Sequence, residues 1–214
     1  MKRPLLLLAS LSAALSLTLG TFQTVLWNGA AAPRWARTVA HGIAESALPP
    51  RGAPGAEHLA APPAAYFMFG RPFILAYVAL GLALVALARA EGKRRDTFAT
   101  ALVAVAALAD VGVYWLSSAL GVAFRERAFW NVEVPALVGL LFLVSVRAGL
   151  AWRRDGRLRP SVFALPLALL ATAALHYMPH GPVLGLSFAL LLEAARLRST
   201  SMTSHASAMK EARS

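Results

Sequence analysis

The sequence predicts an all-α fold: a polytopic integral membrane protein of about six transmembrane helices. Three observations predict it. Of 214 residues, 58% are apolar and 14% charged, with a mean hydropathy of +0.59, against roughly 45–50% and about 25% in soluble domains. The apolar residues form long Ala- and Leu-rich runs without period-two alternation, which excludes membrane-spanning strands. The basic residues sit in short clusters between those runs, as topology signals do. The same composition excludes a disordered or fibrous chain. A net charge of +11 would suggest nucleic acid on a soluble domain. Here the clustering assigns it to topology, so no nucleic-acid partner is expected. There is no Cys, hence no disulfide and no thiolate metal site.

A helix needs about 20 apolar residues to cross the hydrocarbon core. The runs that qualify are 5–26, 72–88, 98–122, 132–150, 161–178 and 182–197, the last being the shortest. Together they make a single helical membrane domain over residues 1–198. Residues 28–65 form an outer loop rich in Ala and Pro, with one short helix expected over 35–48 and prolines at 49, 50, 54, 62 and 63 breaking the rest. Residues 199–214 read as a polar, Ser-rich, disordered cytoplasmic tail. Six spans place both termini on one side. Fifteen basic residues (Lys2, Arg3, Arg89, Lys93, Arg94, Arg95, Arg147, Arg153, Arg154, Arg157, Arg159, Arg196, Arg198, Lys210, Arg213) then share that side, against six (Arg34, Arg37, Arg51, Arg71, Arg125, Arg127) on the other. The bias makes the first side cytoplasmic. Few Lys and only two Ile beside abundant Arg, Ala and Leu suggest a GC-rich bacterial genome, and so the bacterial inner membrane.

The first run has two readings. Lys2-Arg3, an apolar stretch and Gly29-Ala30-Ala31-Ala32 resemble a cleavable signal peptide, which would leave five spans. Ser12, Ser16, Gly20, Thr24 and Asn28, however, recur every four residues and make a helix-packing face, which favours a retained helix. Gly181, Gly185 and Ala189 make a similar face on the last run. Trp27, Tyr66, Phe67, Phe69, Tyr114, Trp115, Phe129, Trp130 and Tyr177 fall near the outer ends, as an interfacial belt would. Trp152 marks the inner end.

Asp110 is the sharpest chemical feature, 13 residues into the third run. An ionised carboxylate there costs several kcal/mol unless it is paired or takes up a proton. It is therefore either a proton, cation or ligand site, or a hydrogen-bonded lock between helices through Tyr114 or Asn28. Arg71 is the only cation in position to reach inward. Glu133 opens the fourth run with Asn131 as its expected N-cap, or shares an outer-half cavity with Asp110. His176, Met178 and His180 could offer imidazole and thioether to copper or haem, though their spacing is not diagnostic and no cofactor is predicted. His41 with Glu45, and Glu57 with His58, read as surface pairs. Glu193 pairs with Arg196, Arg147 snorkels to the inner surface, and Arg125-Glu126-Arg127 forms a solvated outer turn.

No hydrolase, zinc-protease, Walker or dinucleotide motif is present, so an enzyme is disfavoured. Three classes stay open. The first is a non-enzymatic subunit, assembly factor or partner-binding protein, packing with other membrane helices in a homo-oligomer or complex. The second is a small proton, cation or solute transporter using Asp110, Glu133 and His176. The third is a metal- or haem-binding redox protein.

Overall fold

The computed structural model describes residues 2–28, 31–44, 64–92 and 96–211. Among them every regular element is helical. In chain order these are α1 (Lys2–Asn28), α2 (Arg34–Ala44), α3 (Ala64–Gly70), α4 (Ile74–Ala90), α5 (Thr97–Val111), α6 (Ser117–Leu120), α7 (Val122–Ala128), α8 (Val134–Asp155), α9 (Ala164–Leu175) and α10 (His180–Glu211). A 3-10 turn, Arg71–Phe73, joins α3 to α4, and another, Pro160–Phe163, opens α9. Two π-helical turns, Gly112–Leu116 and Phe129–Glu133, join α5 to α6 and α7 to α8.

Among the described residues, four helical stretches are long and apolar enough to cross a membrane: Arg3–Asn28, Tyr66–Ala90, Thr97–Leu120 and Val122–Asp155. Two of the six expected runs fall short of that measure. The fifth forms a shorter apolar helix, Pro160–Leu175. The sixth lies in α10, whose first 20 residues carry Glu193, Arg196 and Arg198.

Where the sequence predicts a loop after residue 122, the chain turns on a single residue. Gly121 sits at φ 85°, a conformation only glycine adopts without strain, and α7 begins at once. The helix from Val122 then runs 34 residues. At about 1.5 Å per residue it extends about 51 Å, well beyond the roughly 30 Å of a hydrocarbon core. Arg125-Glu126-Arg127 is therefore a helical turn and not a loop. The last helix, α10, continues to Glu211. The stretch after Pro182 has no proline, and Gly185 is its last glycine, so nothing stops the helix.

The helices close a ring in which α1 packs on α4 and α10, α4 on α5, α5 on α8, and α8 and α10 on α9. Small residues let them approach. Ser12 Oγ donates to the Ala76 carbonyl at 3.0 Å and accepts from Ser187 Oγ at 2.9 Å. Thr24 donates to the Leu175 carbonyl, and Ser16 and Ala189 are fully buried. A side chain at Gly185 would strike the backbone of Ala168, and one at Gly181 the backbone of Thr172. The core between the helices is Leu5, Phe73, Leu80, Leu137, Leu140 and Leu190. Amphipathic α2 lays Ala36 and Ala40 against Phe22 and Val25. Glu45, Glu57 and His58, and the His41 side chain, lie outside the described residues.

Candidate functional site

All four tyrosines of the chain point into the bundle: Tyr66, Tyr77, Tyr114 and Tyr177 are each at most 4% exposed. The expected outer belt is corrected for Tyr66, Tyr114 and Tyr177, whereas Trp115 and Trp130 do face outward. A tyrosine hydroxyl buried in an apolar interior needs a partner, and these find one another. Tyr114 and Tyr177 share a hydrogen bond of 2.5 Å, Tyr66 and Tyr177 one of 3.3 Å. Tyr77 donates to Glu133 Oε1 at 2.7 Å.

The backbone is shaped to admit these groups. Asp110 precedes the first π turn by two residues, and Glu133 is the last residue of the second. Such turns are rare and recur at functional sites. Gly70 has no side chain where the Tyr114 ring lies against it. At Gly112 an added Cβ would come within 3.3 Å of Ala128 and 3.5 Å of Phe124, so its absence lets α7 fold back onto the first π turn.

Asp110 and Glu133 are both 0% exposed. They lie within electrostatic reach of each other and of Tyr77 and Tyr114. Among the described residues neither Asp110 oxygen has a hydrogen-bond partner, and Glu133 has only Tyr77, on Oε1. The two partners expected for a lock are engaged elsewhere. Tyr114 bonds Tyr177, and Asn28 donates to the carbonyls of Thr24 and His176, both at 3.0 Å. Arg71 does not reach inward either. Its Nε donates to the Tyr114 carbonyl at 3.2 Å, and its guanidinium lies 5.2 Å from the Trp115 ring centre.

Compared with protein-family models, curated proteins and solved structures, the chain matches none.

Several expected site residues fall outside the cluster. Asn131 is exposed and caps nothing, because the helix runs through it as a π turn. His176 is exposed and ends α9 in the left-handed conformation, φ 51°, so the expected path through His176 is corrected. Of the two histidines whose side chains are described, the buried one is His180. Its ring stacks on Phe73 with centres 3.6 Å apart and lies 5.0 Å from Tyr177. Its Cβ would be 3.0 Å from a side chain at Gly20. His176 and His180 thus face different surroundings, Met178 is half-buried, and no three His, Asp or Glu among the described residues converge as a metal site. Gln23, also absent from the sequence reading, is fully buried and donates to the Tyr66 carbonyl at 2.6 Å. Arg125 is 4% exposed, with its guanidinium 5.8 Å from the Tyr66 ring centre.

Two of these could have been found beforehand. Tyr77 is the only polar side chain in the run 72–88, and Gln23 the only amide in the run 5–26. Nothing in the sequence marks His180 over His176.

Proposed function

We propose that the chain is a six-span bacterial inner-membrane protein, both termini cytoplasmic, that carries protons through the buried pair Asp110 and Glu133. The membrane placement is supported by the outward faces of the helices, where Leu7, Leu75, Leu108, Phe142 and Leu170 are more than half exposed, and by the basic-residue bias. Retention of the first helix is supported by its polar bonds to α4, α9 and α10, which a cleaved leader would not need.

One observation carries the proton reading. Two carboxyl groups share a fully buried site, and neither is bonded by a cation among the described residues. In so apolar a place two negative charges cannot stand side by side unneutralised, and a proton is the smallest neutraliser. A hydrogen-bonded lock would use both Asp110 oxygens, and neither is used. The Tyr77 hydroxyl orients Glu133, and the hydroxyls of Tyr114, Tyr177 and Tyr66 are linked to one another near the end of α1. The competing reading, a non-enzymatic subunit packed against other membrane helices, treats the pair as inert.

Proteoliposomes with an internal pH dye separate the two. Wild-type protein should dissipate an imposed pH gradient faster than empty vesicles, and Asp110→Asn should fold but lose that flux. Equal flux in Asp110→Asn, or none in wild type, overturns the proton reading. A periplasm-active reporter fused after Arg198 should be silent, and activity there overturns the topology.

A further inference from the structure

At the end of the bundle away from the tyrosines, a cavity of about 540 Å³ opens between α4, α5 and α8. That is within the roughly 300–1,000 Å³ of small-molecule sites. Its walls are apolar, chiefly Leu84, Leu87, Val144 and Ala148, and its rim is charged.

The rim's acceptors are engaged. Asp96 receives the Ala99 amide and Arg147, and Glu91 receives Arg159 and Arg196. Glu193 receives the Ser161 amide at 3.0 Å and Arg196 at 2.7 Å. What remains is donors. Ser161 is 5% exposed and its hydroxyl has no partner among the described residues, and the same holds for Arg159 Nε. Arg147, half-exposed, bonds Asp96 through Nη1 alone. Spare donors suit an anion, and the walls below them suit a hydrocarbon chain. A phosphate oxygen takes several such charge-assisted bonds at once.

We propose that this cavity holds a bilayer phospholipid, one acyl chain along Leu84 and Val144 and its phosphate on Arg147, Arg159 and Ser161. The assignment rests on the membrane placement above and not on the carboxyl pair.

The test is phospholipid phosphorus per protein, with native mass spectrometry, on the full chain exchanged into lipid-free detergent. Wild type should retain one phospholipid. Arg147→Gln should retain about tenfold less, the loss of one charge-assisted contact. Ala148→Phe, which fills the cavity and leaves the ion pairs intact, should lose it too. Arg154→Gln, whose guanidinium bonds only its neighbour Asp155 among the described residues, should retain it. If Arg147→Gln fails to fold, Ser161→Ala replaces it with the same expectation. Retention by Arg147→Gln or Ala148→Phe equal to wild type, or equal loss in Arg154→Gln, overturns the proposal. So does release of the lipid by excess inorganic phosphate, which would mean that the acyl chain contributes nothing. Failure of the membrane placement is read separately, as extraction of the chain from membranes by alkaline carbonate.

Discussion

Removing the Tyr77 hydroxyl is the most direct probe of the buried carboxyl pair. In Tyr77→Phe the ring keeps its place against Phe73, 5.1 Å away between centres, and only the 2.7 Å bond to Glu133 Oε1 is lost. Oε2 already lacks a partner among the described residues, so neither oxygen of a fully buried carboxyl then has one. Hydrogen bonds between membrane helices contribute about 0.6 kcal/mol on average and about 1.7 at most. A bond to an otherwise unsatisfied buried group belongs at the upper end, because its loss strands the acceptor. For a chain of this size each kcal/mol moves Tm by roughly 2–4 °C. The expected drop is therefore about 3–7 °C. The assay is thermal unfolding in detergent followed by circular dichroism, run as a double-mutant cycle with Glu133→Leu, which removes the acceptor. The two substitutions remove the same contact, so their effects should fall short of additivity by about 1 kcal/mol. An unchanged Tm in Tyr77→Phe, or strict additivity in the cycle, refutes the assignment of that bond.

Other substitutions test the packing. Gly185→Leu drives a side chain into the Ala168 backbone and should cost more than about 2 kcal/mol as an overpacking change, read as loss of a monodisperse peak in gel filtration. Gly139→Ala, whose nearest neighbour would be Leu102 at 3.9 Å, should be tolerated. Arg125→Met should lower Tm by several degrees through loss of its contact with the Tyr66 ring, whereas Arg127→Met, on the exposed side of the same turn, should move it by less than a degree. Equal effects of the two would contradict the burial of Arg125.

The sequence made the helical class and the main apolar runs legible because hydropathy averages over many residues and one misplaced side chain does not alter it. It also marked Ser12, Ser16, Gly20 and Thr24, since a four-residue repeat is itself a statement about one face of a helix. Asp110 stood out because a carboxyl in an apolar run has few places to be. What stayed hidden depends on rotation and on local departures from the 3.6-residue turn. The π turn through Asn131 removed the helix start that made Asn131 look like a cap. The left-handed residue at His176 turned that ring out, and the next helix carried His180 in. Tyrosine suits an interface and a buried hydroxyl chain equally well, so composition could not separate the two for Tyr66, Tyr114 and Tyr177. Arg125 looked solvated because the turn at Gly121 is tighter than any loop length would suggest.

The two π turns have a consequence for how the chain can vary. Each spends one extra residue on a turn, which offsets every following side chain by about 100° relative to an unbroken α spiral. The helices therefore behave as gears set one tooth apart, meshing around Asp110 and Glu133 only because both offsets are present. Exchanging one side chain leaves that meshing intact. Deleting a single residue within Gly112–Leu116 or Phe129–Glu133 does not, because it swings a whole flank of the helix, whatever its chemistry, out of mesh. Chain length at these two places, more than residue identity, is the quantity this interior is least able to give up.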